Sequence, residues 1–154
     1  MLLVYYITGH GFGHATRSLT IIDALIDRRP DCRVLIRSGV SSTFLADLAP
    51  PHVDIQQADV DTGMVQIDSL QLDAVETARK AAAFYSTFQT RVDHEAALLR
   101  SLGATLVLGD IPPLAFAAAA AAGVPSIAIA NFTWDWIYEA YPEFDRYAPG
   151  VVQT

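Results

Sequence analysis

The sequence predicts an α/β fold, a three-layer domain with helices on both faces of a parallel sheet, and three observations predict it. Short apolar runs rich in β-branched and aromatic residues alternate with segments of helical period, the pattern of strands joined by crossover helices. Glycine or proline stands at most of the junctions. With 154 residues, 52% hydrophobic and 18% charged, the chain can bury the core of one compact domain and is too apolar for a disordered one.

The first apolar run, residues 2–8, reads as a buried strand closed by Gly9. Beyond a glycine-rich loop, Leu19, Ile22, Ala24, Leu25 and Ile26 fall mostly on one helical face. That helix stops at Arg28, Arg29 and Pro30, where positive charge suits a helix C-terminus. Residues 34–36 make a second strand, Ser41 or Ser42 caps a helix to about residue 48 that Pro50-Pro51 ends, and residues 53–55 form a third strand. Residues 58–70, polar and interrupted by Gly63, read as a loop. From 73 to 102 Tyr85, Phe88, Val92, Leu99 and Leu102 recur at helical spacing, so a long helix is expected there, with Gly103 as its C-cap. Residues 105–108 are a fourth strand, 114–122 a helix entered through Pro112-Pro113 and closed by Gly123, 126–130 a fifth strand, and 134–141 a last helix ended by Pro142. The alanine run at 117–122 suits a helix packed closely on the sheet.

Ten basic against 17 acidic residues give a net charge of −7, the wrong sign for a domain whose main task is gripping a nucleic-acid backbone. The lone Cys32 has no internal disulfide partner. The longest apolar stretch stops at Pro125, well short of the roughly 20 residues of a membrane span, and no basic segment precedes the first apolar run as a signal peptide requires. A cytoplasmic domain is therefore expected.

In an open parallel sheet, ligands collect at the carboxyl ends of the strands, where the strand order reverses. In the common doubly wound order the first and fourth strands are neighbours there. Loops 9–14 and 109–113 then lie side by side, and His14 and Asp110 become possible contacts across 96 positions. The loop Gly9-His10-Gly11-Phe12-Gly13-His14 has glycine at every second position, so its backbone can turn tightly and expose N–H groups at a helix start. It is no dinucleotide fingerprint, because the third glycine falls on His14 and Arg37-Ser38-Gly39 stands where an acidic ribose binder belongs; nor does a Gly-Lys-Ser/Thr follow.

Histidine can take a proton from a hydroxyl near neutral pH, and a neighbouring carboxylate can fix its tautomer, which makes His14 and Asp110 the candidate catalytic pair. The plainer alternatives are a helix-start role for His14 and a helix-entry cap for Asp110. His10 divides between substrate contact and a structural loop role. Arg17, expected in the first helical turn where the macrodipole disfavours a cation, either projects into solvent or faces an anionic ligand. Asn131, Thr133, Trp134, Asp135 and Trp136 combine hydrogen-bonding groups with flat rings, a mixture suited to sugars or other polyols, with packing the expected role of at least one tryptophan. His52 and His94 lack clustered partners at metal-ligand spacing and read as surface residues.

The segment Tyr5-Tyr6-Ile7-Thr8-Gly9-His10-Gly11-Phe12-Gly13-His14-Ala15-Thr16-Arg17 resembles the N-terminus of GT-B glycosyltransferase-like proteins. The likeness is closest to the glycosyltransferase-like domain of L-arabinokinase and its bacterial relatives. Gly109-Asp110-Ile111-Pro112-Pro113, Gly123-Val124-Pro125 and Asn131-Phe132-Thr133-Trp134-Asp135-Trp136-Ile137-Tyr138 resemble the same group, in the same order. The resemblance implies a Rossmann-like parallel sheet, the N-terminal half of a GT-B fold. It implies His14 as base on an acceptor hydroxyl, Asp110 as its partner, and sugar transfer from a nucleotide-diphosphate donor without a required metal or cofactor. Gly9, His10, Gly11, Gly13, Arg17, Asn131, Thr133, Trp134 and Asp135 are the substrate-binding candidates. In that family the nucleotide sugar is bound mainly by a second Rossmann-like domain. Residues 1–154 are thus expected to be the acceptor-side domain, inactive without a C-terminal nucleotide-sugar domain of the same polypeptide. The alternative implied is a non-catalytic sugar- or nucleotide-sugar-binding module that regulates a fused sugar kinase.

Overall fold

An unbroken apolar run can be buried only if both faces of its strand are covered, and Leu2–Ile7 (β1) is buried at every position after the first. In the computed structural model, which describes residues 1–153, β1 is the centre of a five-stranded, all-parallel sheet. Its partners are Arg33–Ser38 (β2), Val53–Gln57 (β3), Leu106–Asp110 (β4) and Ser126–Ala128 (β5), in the order β3-β2-β1-β4-β5. The chain runs outward to one edge through β2 and β3, then returns to the other side of β1 as β4. Ile7 is in register with Ser38 on one side and Asp110 on the other, so the switch point lies where β1 and β4 end together.

The helices that follow are Phe12–Arg28 (α1), Ser42–Leu48 (α2), Ala74–Ser86 (α3), Phe88–Leu102 (α4) and Pro113–Ala122 (α5), and all but α3 pack on the sheet. The two-residue period of a strand divides β1 between two cores. Leu3, Tyr5 and Ile7 pack with Leu19 and Ile22 of α1 and Leu45 of α2. Val4 and Tyr6 pack with Leu99 of α4 and with Ala115, Ala118 and Ala119 of α5. The alanine run thus lies tight on the sheet, and Gly109 makes room for it: a Cβ there would stand 2.5 Å from the Phe116 ring.

Three elements differ from the sequence expectation. The long helix at 73–102 is two helices broken at Thr87, whose N–H turns to the Phe84 and Tyr85 carbonyls instead of continuing the helical ladder. Arg91 fastens the corner, donating from Nε to the Thr87 hydroxyl at 3.0 Å and covering the Phe84 ring at 4.4 Å. Apolar spacing is blind to such a one-residue break because its period runs on across it. The fifth strand has three exposed residues rather than five, as an edge strand can. The last helix is only Trp134–Tyr138 (α6), and beyond Pro142 the chain turns again into Glu143–Tyr147 (α7) and a 3₁₀ turn, Val151–Gln153. Tyr138 stacks between Trp134 and Phe144, with ring centroids 5.8 and 4.2 Å away, and this aromatic column packs on Met64, Ala78 and Ala81 as a third core. No helix of the described residues is long and apolar enough to cross a membrane.

Under the α4 face, Arg37 of β2 forms a buried ion pair with Glu95, which also accepts a hydrogen bond from the Tyr6 hydroxyl at 2.7 Å. Both charged side chains are under a tenth exposed, so each needs the other. Glu95→Ala should cost about 3–5 kcal/mol of unfolding free energy in urea denaturation by stranding the guanidinium. The double replacement Arg37→Met/Glu95→Leu should recover most of that loss.

Candidate active site

At the switch point the chain leaves β1 through Thr8 and Gly9 and enters α1 at Phe12, three positions earlier than the loop reading of residues 9–14 supposes. Gly11 is the residue before the helix, and its φ of 77° is open to glycine at little cost. This start puts His14 in the first turn and moves Arg17 into the second. On the neighbouring strand, Asp110 is the last residue of β4, and Ile111 after it holds the uncommon φ of 76°, bending the chain sharply into α5.

The Asp110 side chain has no exposed surface, and three residues of α1 converge on it. His14 Nδ1 lies 3.1 and 3.2 Å from its two oxygens, the Ser18 hydroxyl donates at 3.2 Å, and the Arg17 guanidinium closes an ion pair. Arg17 also donates to Asn131 Oδ1 at 3.3 Å, joining the loop after β5 to the cluster. Arg17 Nη2 also lies 3.3 Å from Nδ1, but the two carboxylate oxygens are nearer and can only accept, which favours the neutral imidazole with its proton on Nδ1 and a free lone pair on Nε2. Beneath them the Tyr5 hydroxyl is buried beside Ser18, and burial, ahead of the nearby Asp110 charge, pushes the phenol above its ordinary range.

A second cluster stands beside the first. His10 Nδ1 faces the Met64 N–H at 3.4 Å, and the His10 ring meets the edge of Trp134 at 5.3 Å between centroids. Trp134 Nε1 donates to Asp61 at 2.9 Å, and the Gly9 N–H reaches the other oxygen of Asp61 at 3.4 Å. Phe132 bridges the clusters, edge-on to both His14 and Trp134. Gly63 lets the polar segment close over His10, since a Cβ there would come within 2.7 Å of His10 Cβ. Burial above all, then the neighbouring His14, lowers the pKa of His10, while burial raises that of Asp61 against the hydrogen bonds it accepts.

The structure therefore brings His14, Asp110, Arg17 and Asn131 together and sets Gly9, His10 and Trp134 beside them. Arg17, 38% exposed, is held by Asp110 and Asn131. Gly11 and Gly13 line the open head of α1. Thr133 and Asp135 stand exposed at the start of α6, and no hydrogen bond among the described residues joins them to the pair. Trp134 is buried and Trp136 is 65% exposed. His52 and His94 are exposed. Ser18, Tyr5, Asp61 and Met64 were missed. Ser18 had a legible signal in its spacing of four from His14, but Asp61 and Met64 lie in a segment without periodicity.

No protein-family profile matches the chain. A curated protein, L-arabinokinase of Arabidopsis thaliana, is 34% identical over 142 residues, 92% of this chain but 14% of that protein. Among solved structures, a UGT transferase from Siraitia grosvenorii in complex with UDP superposes with a TM-score of 0.51 at 19% identity, over 88% of this chain and 25% of its own. MurG of Acinetobacter baumannii gives 0.50 at 17% identity over 91% and 38%, and a UGT of Phytolacca americana 0.52 at 17% over 94% and 33%. The fold is that of the GT-B glycosyltransferases. The chain spans a small part of each relative, and at these structural identities the GT-B likeness is one of fold alone.

The His10 shift has a definite sign. Its folded-state pKa lies below the ordinary 6.5, so its contribution to stability is complete above pH 6.5 and is lost as pH falls through that value towards the folded pKa. In urea melts from pH 7 to 5, the wild type should lose more stability than His10→Phe, whose ring cannot titrate.

Proposed function

We propose that this chain supplies the acceptor-side half of a glycosyl-transfer cleft, with His14 as general base. The observation that carries the reading is the contact of His14 Nδ1 with buried Asp110 at the joint carboxyl ends of β1 and β4, which leaves Nε2 for a substrate hydroxyl. His14 Nε2 takes the acceptor's hydroxyl proton, and the acceptor oxygen forms a bond to the donor's anomeric carbon. The bond from that carbon to the diphosphate oxygen breaks, and the nucleoside diphosphate leaves. Asp110 orients the imidazole and stabilises the imidazolium as it forms. Arg17 is spent on balancing the Asp110 charge rather than on the donor.

The donor is a nucleotide sugar held by a second domain of the same polypeptide, so residues 1–154 alone are inactive, and the cytoplasm is the compartment that fits. The head of α1, which begins at Phe12 without a side-chain cap, is the part of this half that approaches the diphosphate. No metal is needed in this scheme, because the base is an imidazole and the leaving group is already activated.

A second reading, favoured by the 34% identity to L-arabinokinase, is a sugar-binding module that regulates a fused kinase. It takes L-arabinose as the first ligand to try. Kinetics of the complete polypeptide separate the two. His14→Ala should lower transfer to a hydroxyl acceptor by at least ~10², as loss of a general base does, and Asp110→Asn should fall with it. Unchanged turnover in both variants would remove the base assignment and leave the binding module.

A further inference from the structure

Next to the His14 rim, a pocket of about 350 Å³ opens between His10, the turn at 66–72 and α6. Met64, Leu72, Phe132 and Ile137 give it carbon surface, and Gln66, Gln71 and Tyr141 give it hydrogen-bonding groups. No lysine or arginine lines it among the described residues. Its one carboxylate, Asp68, accepts the N–H groups of Leu70 and Gln71 at 2.8 and 2.9 Å and so is turned into its own loop.

The polarity of His10 follows from the backbone. The Met64 N–H can only donate, so Nδ1 of His10 must accept, and a neutral imidazole that accepts at Nδ1 carries its proton at Nε2. The Gly63 backbone passes so close that a Cβ on it would meet His10 Cβ at 2.7 Å, and Trp134, itself anchored on Asp61, packs against the ring. His10 is therefore a hydrogen-bond donor in the opposite tautomer to His14. Phe132 lines the pocket and also meets the His14 ring, at 5.9 Å between centroids, so one ring separates a ligand seated there from His14.

We infer that this pocket is a binding site for a neutral sugar ring, with His10 donating from Nε2 to one of its oxygens and the apolar side chains covering its C–H face. A fixed donor without a cation selects a hydroxyl or ring oxygen over a carboxylate or phosphate, which would enter without a counter-ion beside Asp68. The binding stands by itself. Only the claim that the bound sugar is the acceptor rests on the transferase reading.

The test is a long-range ¹H–¹⁵N histidine spectrum of the full chain at pH 7, followed by titration with L-arabinose and D-glucose and with D-glucuronate as their anionic counterpart. His10 should show a protonated Nε2 and a bare Nδ1, and the neutral sugars should shift its signals saturably. Glucuronate should bind at least about tenfold more weakly, and His10→Phe should cost about tenfold in neutral-sugar affinity, the scale of one hydrogen bond. A proton on His10 Nδ1, shifts that spare His10, glucuronate binding as well as glucose, or no saturable binding overturns the site, and the tautomer measurement needs no variant that must fold. An intact isotherm with no transfer by the complete polypeptide overturns the transferase reading alone. Transfer with an unchanged acceptor KM in His10→Phe overturns the acceptor assignment alone.

Discussion

A carboxylate that ends a central strand with none of its side chain in water must have its charge met inside the protein, since an unpaired ion there would cost several kcal/mol. For Asp110 the answer comes from one face of one helix. His14, Arg17 and Ser18 stand at i, i+3 and i+4 of α1, the spacing that puts three side chains over the same spot. The convergence depends in turn on where α1 begins. Gly11 starts the helix, and the parallel register of Ile7 with Asp110 brings the end of β4 beneath it. A shift of one residue in either would turn the three side chains away from the carboxylate.

The two adjacent tyrosines of β1 show the same logic on opposite faces of the sheet. Tyr5 lies under the Asp110 cluster and Tyr6 under Glu95, each buried beside an acid that an arginine balances. The consequences differ because access differs. Glu95 and Arg37 are both sealed and tie β1, β2 and α4 together. Arg17 is 38% exposed and His14 15%, so the pair at the switch point keeps a way out to the cleft. Since Arg17 already balances Asp110, His14 is not required as a counter-ion, and its Nδ1 contact with the carboxylate serves to orient the ring.

Much of this was legible in the sequence because it follows from short-range pattern. The apolar run at β1, the glycine loop, Pro112-Pro113 and Gly123 each mark a strand or helix boundary, and the doubly wound order alone suffices to bring His14 beside Asp110 across 96 positions. What escaped was set by tertiary contacts. Thr87 breaks a helix whose apolar spacing continues through the break, held by Arg91 on Phe84. Asp61 is one acid in a polar, aperiodic stretch, and only the folded chain sets it under the Gly9 N–H and the Trp134 indole. For Arg17 the helix dipole says little, because the partner it finds is a carboxylate on another element.

The glycines of the loop separate structural need from the needs of a ligand. Gly11 is explained by its backbone angle, Gly63 by the His10 ring and Gly109 by the Phe116 ring. Gly13 is not explained by the fold. It is helical, its φ is ordinary, and a Cβ added there would meet nothing within 4 Å. Glycine is a poorer helix former than alanine, and nothing in the packing of this first turn asks for it. The open side of Gly13 lies at the head of α1, one residue before His14, where the first N–H groups of the helix point outward without a side-chain cap. A ligand that brings an oxygen against that backbone needs the space a methyl group would take, and on the proposed reading the donor diphosphate is the group that comes there.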